Sequence, residues 1–147
     1  MEISLRKLLK GGSFGKVDPV HSCRMAAVRG KDTSPEMIVR RLLHSLGYRY
    51  RLHVRQLPGT PDIVFPSRRK IVDVKGCFWH MHGCAASHVP SKRRVFWSAK
   101  LARNKARDAR TRRLLRALKW HVLTVWECEL ANRKRLERRL VRFLSAP

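Results

Sequence analysis

Pro61-Asp62-Ile63-Val64-Phe65, a break at Pro66-Ser67-Arg68, and Lys70-Ile71-Val72-Asp73-Val74-Lys75 make up the stretch from which the fold is read. β-Branched and apolar residues fill both arms, and proline with serine interrupts them. The pattern predicts two neighbouring strands, Asp62–Phe65 and Lys70–Lys75. Upstream, Tyr48–Val54 alternates enough to be another strand, joined to the first by a loop over Gln56–Pro61. Before it, Thr33 or Ser34 suits an N-cap, Pro35 a first turn, and Glu36 completes a T-x-x-E capping box. Met37, Ile38, Leu42 and Leu46 then recur at helical spacing until Gly47 stops the helix. Downstream, Ser91–Lys119 reads as a long basic helix or helix pair, and His121–Trp126 as a compact, buried apolar strand. Ala131–Leu144 closes the chain as an amphipathic helix with Leu136, Leu140 and Phe143/Leu144 on its apolar face. The order αββ(β)αβα predicts an α/β or α+β sandwich, a mixed central sheet flanked by helices.

Charge sets the partner. Thirty-four Lys and Arg oppose ten Asp and Glu, a net +24 with a pI near 11.6. Such a chain attracts polyanions, because each cation that neutralises a phosphate releases a condensed counterion. Nucleic acid is therefore the expected partner, although ribosomal-type binders and histone-like proteins share the imbalance and are not enzymes. A hydrophobic fraction of 44% in 147 residues predicts one folded domain with a real core. Residues 1–31 read as a weakly structured basic arm, with 1–17 as an extension and 18–147 as the domain. The arm's apolar run is broken and followed by Gly11-Gly12-Ser13, unlike a secretory signal. No window approaches the roughly 18 apolar residues of a membrane span. A cytoplasmic monomer with no membrane partner is the expectation.

Pro61-Asp62, ten intervening residues, then Asp73-Val74-Lys75 fit the pattern PD…(D/E)xK. Asp73 and Lys75 lie two apart on a strand, so their side chains share a face, and Asp62 on the next strand can converge on them. Two carboxylates, a backbone carbonyl and waters make an oxygen-rich site suited to Mg²⁺. There the ion polarises a scissile phosphate and acidifies an attacking water, while a lysine offsets developing charge. The bland alternative is an Asp62 turn cap beside a solvated Asp73/Lys75 pair. Two of only ten acids in this one arrangement favour chemistry.

Cys77-Phe-Trp-His80-Met-His82-Gly-Cys84 packs four soft ligands into eight residues, and Cys128 follows beyond the basic helix. Two disulfides are formally possible for Cys23, Cys77, Cys84 and Cys128, but without an export signal metal ligation is the better reading. Cys77, His82, Cys84 and Cys128 would complete a tetrahedral, structural Zn²⁺ site, the alternative being buried unliganded cysteines. Cys23 is a spare thiol. His80 remains, just past the Asp/Lys strand, able to act as general base or acid. His21, His44, His53, His88 and His121 have no such context and read as surface or core residues. Arg93, Arg94 and Lys100 surround Trp97 on the basic segment, as a DNA contact would require; ordinary core packing is the competing role for the aromatics.

Five blocks in order resemble the Vsr very short patch repair endonucleases: Arg24-Met-Ala-Ala-Val-Arg-Gly-Lys-Asp-Thr-Ser-Pro-Glu36, Leu57-Pro-Gly-Thr-Pro-Asp62, Gly76-Cys-Phe-Trp-His80, Phe96-Trp97 with Asn104 and Asp108, and Val125-Trp-Glu-Cys128. The resemblance runs from Asp18 to Leu130, roughly three quarters of the chain. It implies a restriction-endonuclease-like (PD-(D/E)xK) fold with one structural zinc. It also implies Mg²⁺-dependent nicking of double-stranded DNA beside the T of a T:G mismatch, a DNA repair role. By position, Asp62 corresponds to the metal-binding aspartate and His80 to the catalytic histidine. Glu36, Asn104 and Asp108 correspond to polar active-site residues, and Cys77, His82, Cys84 and Cys128 to the zinc ligands. Phe78, Trp79 and Trp97 correspond to aromatics that wedge into the base stack, where a mispaired step is cheaper to open. Family members carry Thr-His, with no preceding acid, where this chain has Val74-Lys75 after Asp73. The Val74 carbonyl can still serve as a Mg²⁺ ligand, and Lys75 in place of the histidine keeps phosphate stabilisation while leaving the proton-transfer role open. A nuclease without mismatch specificity and a zinc-stapled DNA-binding protein without catalysis are the other readings the sequence leaves open.

Overall fold

The computed structural model describes residues 30–147. The basic arm as far as residue 29, the 1–17 extension, Cys23, and the resemblance before Gly30 lie outside the described residues. The elements are α1 (Ser34–Ser45), β1 (Arg51–Leu52), β2 (Ile63–Phe65), β3 (Lys70–Lys75), α2 (Arg94–Ala117), β4 (His121–Trp126) and α3 (Arg133–Ser145), with single 3-10 turns at Pro66–Arg68 and Glu127–Ala131.

The Thr33 hydroxyl caps α1, accepting from the Glu36 N–H at 3.3 Å. The predicted box does not close, because Glu36 Oε2 reaches past the cap to the Asp32 N–H at 3.0 Å. The buried face is Glu36, Val39 and Leu43, one step round from the predicted Met37, Ile38, Leu42 and Leu46. Glu36 turns inward and takes the first core-facing position, and i+3 and i+7 follow it. β1 is also shorter than predicted. Only Arg51 and Leu52 pair with β2, because His53 leaves the extended region (φ 46°) while Tyr48 and Tyr50 turn their rings edge-on to Phe65.

The central hairpin forms as predicted: β2 and β3 are antiparallel, with Ile63 opposite Val72 and Phe65 opposite Lys70. The basic segment is one continuous 24-residue helix. It returns the chain to β4, which runs parallel to β3 from the Lys70–His121 pair to the Lys75–Trp126 pair. The sheet is therefore mixed, in the order β1-β2-β3-β4. β4 is an edge strand and not a wholly buried one: Thr124 and Val125 are buried, whereas His121 is exposed. Helices cover both faces. Alternation along the strands sends Ile63, Phe65, Val72 and Val125 towards α1 and α3, where Leu136, Leu140 and Leu144 complete the main core. Val64 and Ile71 point the other way, to Leu115 of α2. Buried Lys70 holds the end of α3 through its Leu144 (3.4 Å) and Ala146 carbonyls, a favourable place for a cation.

Candidate active site

The start of β2 and the end of β3 bring the two acids together. The Val74 N–H donates to Asp62 Oδ2 at 2.9 Å, and the Asp62 N–H donates to Asp73 Oδ1 at 3.3 Å. Each carboxylate is thus clamped by a neighbour's backbone. Burial, then the Asp73 charge, pushes Asp62 up to about 7. Burial also raises Asp73, partly offset by the Lys75 ammonium. Two acids that resist ionisation side by side are a cation's natural seat.

Asp108, on α2, joins this strand end to the cysteine–histidine segment. Its Oδ1 accepts from Lys75 Nζ at 3.0 Å, and its Oδ2 binds His80 Nδ1 closely. Burial opposes its charged form, but the hydrogen bond from His80 and the Lys75 charge outweigh that and hold its carboxyl below the ordinary range. One turn earlier, Asn104 donates to the Trp79 carbonyl at 3.1 Å and anchors the chain just before His80. Two clefts meet at His80. A cavity of about 580 Å³ is lined by Lys75, Asp108, Lys105, Arg112, Arg113 and Arg116, among others. Another, of about 380 Å³, is lined by Thr33, Val74, Trp79, Asn104 and Glu127, among others.

Glu36 lies on the opposite side of Asp62, close enough for its charge to raise Asp62 further. His53, expected to be a plain surface or core residue, packs against Glu36. His53 Nε2 is 3.2 Å from Glu36 Oε1 and 3.7 Å from Asp32 Oδ1. Arg40 bonds Asp32 at 2.6 Å and lies 3.6 Å from Glu36. Nothing in the local sequence marks His53, because Glu36 lies seventeen residues earlier on another element.

The four predicted soft ligands converge. One ligand atom from each of Cys77, His82, Cys84 and Cys128 lies within 4.8 Å of all the others, and Cys128 Sγ is 3.5 Å from His82 Nδ1. A tetrahedron with metal–sulfur bonds of about 2.3 Å has edges of this order, so residues and geometry fit a zinc ion. Stacking on Trp126 (4.2 Å, 12°) sets the plane of the His82 ring. Burial pushes the Cys77 thiol up to about 12, while the Ala86 amide and then His82 bring Cys84 down to about 7. Cys128 sits past the end of β4, in the Glu127–Ala131 turn, and is exposed.

Comparison with known proteins adds the family. Residues 17–86 match the family model described as DNA mismatch endonuclease Vsr. The type II nicking enzyme V.XorIIP of Xanthomonas oryzae pv. oryzae is 54% identical over 121 residues, covering 82% of this chain and 89% of that protein. The DNA mismatch endonuclease Vsr of Escherichia coli is 40% identical over 115 residues, covering 78% and 74%. V.NmeAIP of Neisseria meningitidis is 37% identical over 120 residues, covering 82% and 86%. The chain belongs to the Vsr family. It is a DNA endonuclease, a hydrolase of phosphodiester bonds, and the Vsr relationship carries the nuclease fold and the need for a divalent metal. Among the described residues no helix is long and apolar enough to cross a membrane.

In this Vsr-family chain aromatic residues cluster beside the cleft. Phe78, Trp79, Phe96 and Trp97 form one cluster, with Phe78–Trp79, Phe78–Trp97 and Trp79–Trp97 ring centroids 5.1, 5.5 and 5.9 Å apart. Trp97 is only 7% exposed and is the base of the cluster, whereas Phe78 and Trp79 are half-buried. Lys100 lies over the rings of Trp79 and Trp97, at 5.4 and 5.5 Å. Arg93 caps the start of α2 and lies over Phe96, and Arg94 is exposed beside it. The cluster therefore adjoins the active-site cleft through Trp79.

Proposed function

We propose that this protein nicks double-stranded DNA beside the T of a T:G mismatch, as a Mg²⁺-dependent enzyme of very short patch repair. The observation that carries the reading is the Asp62–Asp73 pair: two half-buried carboxylates, Asp62 clamped by the Val74 N–H and Asp73 by the Asp62 N–H, beside a His80–Asp108–Lys75 triad. Asp62, Asp73 and the Val74 carbonyl supply the hard oxygen donors that Mg²⁺ prefers. When bound, the ion polarises the scissile phosphate and lowers the pKa of a water. Asp108 fixes the His80 ring through Nδ1 and leaves Nε2 for proton transfer in the cleft. Lys75, tied to the same carboxylate, contributes positive charge and no proton shuttle. Asn104 steadies the Trp79–His80 backbone, and Glu36 contributes charge beneath Asp62. Zinc on Cys77, His82, Cys84 and Cys128 staples this segment to the end of β4. Phe78 and Trp79, on a base of Trp97, present rings to an opened base step, with Arg93, Arg94 and Lys100 meeting the backbone phosphates.

The relatives described as type II nicking enzymes support nicking itself, and nicking without mismatch preference is the alternative reading. Chemistry is tested by incubating wild type and Asp62→Ala with an end-labelled T:G duplex in Mg²⁺. Loss of nicking with duplex binding retained is expected. Nicking by Asp62→Ala, or nicking by wild type in EDTA, would overturn the assignment of the site.

A further inference from the structure

β1 stops at Leu52 because His53 adopts a φ of 46°, a backbone conformation uncommon for a residue with a side chain. Such a residue persists only where its surroundings over-determine it, and such positions cluster at functional sites. Two contacts hold it here. The His53 N–H donates to the Asp62 carbonyl at 3.1 Å, and ring Nε2 lies 3.2 Å from Glu36 Oε1. Glu36 is 2% exposed; its Oε1 and His53 Nε2 face each other as a close polar contact, and among the described residues neither atom has a hydrogen-bond partner. The other Glu36 oxygen is taken by the Asp32 amide. His53 thus meets the first turn of α1 with its ring and the residue just before β2 with its backbone.

We propose that His53 is a positioning residue for metal-dependent nicking: clasping Glu36 and Asp62 at once, it keeps the Asp62 carboxylate in register with Val74 and Asp73. This rests on Asp62 being a ligand of the catalytic metal. Asp32, Glu36 and His53 also offer ligand atoms to a cation, but Arg40 already contacts both carboxylates and answers their charge, which favours a clasp over a second metal site. Residues that orient a metal ligand without touching the metal typically matter about 10–100-fold in metal affinity or activity.

Glycine separates the ring from the backbone. His53→Gly keeps the N–H and readily adopts positive φ, so it removes only the clasp on Glu36. His53→Gln restores a side-chain donor. For each full-length variant, the measurements are the nicking rate against Mg²⁺ concentration, binding of the same T:G duplex in EDTA, and the melting temperature. His53→Gly is expected to need about 10–100 times more Mg²⁺ for half-maximal nicking with duplex binding unchanged, and His53→Gln to recover most of the loss. Should His53→Gly fail to fold, Glu36→Gln opens the clasp from the other side and is expected to show the same Mg²⁺ shift. A wild-type Mg²⁺ response in these variants, or a loss of nicking matched by weakened duplex binding, overturns the proposal. Asp62→Ala is the control. If it nicks, the metal-ligand reading itself fails; if it is dead while His53→Gly titrates like wild type, only the role of His53 fails.

Discussion

At the scale of single residues, the protonation of Asp62 governs the active site. Burial beside Asp73 holds its proton to about pH 7, so a metal ion must displace that proton below neutrality. The nicking rate should therefore fall as pH drops through 7, and more Mg²⁺ should move the inflection to lower pH; a pH–rate series at two Mg²⁺ concentrations checks this. The same shift has a stability sign. A carboxyl whose folded pKa is raised favours folding below its unfolded value near 3.8 and loses that contribution as pH rises to about 7. Metal-free Asp62→Asn should thus melt higher than wild type at pH 8 and not at pH 4, as measured by thermal unfolding in EDTA. Asp108→Ala frees both Lys75 and His80 and should lower kcat by about 10²-fold or more, the usual contribution of an oriented proton-transfer group, with duplex binding little changed. The Asp62–Asp73–Lys75 geometry was legible in the sequence, because period-two spacing on a strand dictates it. The Asp108–His80 pair, 28 residues apart, was reachable only through the family resemblance. The Glu36–His53 contact had no signal at all, since it depends on where β1 stops.

At the scale of elements, α2 is the odd member. It runs 24 residues yet buries only Trp97, Leu101 and Leu115. Most of its surface is cationic, and Asp108, its one acid, is already engaged by Lys75 and His80. A helix so lightly packed on its own sheet is shaped for an anionic partner, and the cleft lined by Lys105, Arg112, Arg113 and Arg116 beside His80 gives a DNA backbone a path. Removing one cation that neutralises a phosphate takes about 0.9 from the slope of log affinity against log salt. Arg113→Ala with Arg116→Ala should therefore flatten that slope by nearly 2. Arg138→Ala with Arg142→Ala, the same change of charge on α3, should leave it alone; equal changes in both pairs would reduce α2 to general charge. The span of β3 could be read from a run of β-branched residues, whereas composition left the α2 segment open as one long basic helix or a helix pair. The burial of β4 could not, because its edge position follows from the crossover through α2 and not from its own apolar residues. The inward face of α1 was misjudged for a related reason: a buried glutamate breaks the rule that apolar residues alone mark the core side.

Over the whole molecule, a net charge of +24 must be held together by a main core confined to one face of a four-stranded sheet. The cysteine–histidine cluster ties the segment after β3 to the turn after β4, two strands already paired in parallel along six residues. A bound ion there stabilises only the folded chain, so it adds directly to folding free energy. Metal analysis should find one zinc per chain. Cys77→Ser or Cys128→Ser should lose it and lower the melting temperature, while a protein that keeps its zinc and its stability without Cys77 would contradict the staple. The choice of substrate is a property of the whole molecule, and one pair of duplexes reads it out. Two end-labelled duplexes that differ in a single T:G or C:G pair are incubated with the protein and Mg²⁺, and each strand is resolved on a denaturing gel. A single nick beside the T, present only in the mismatched duplex and abolished by EDTA, is the predicted result; equal nicking of both duplexes would contradict mismatch recognition.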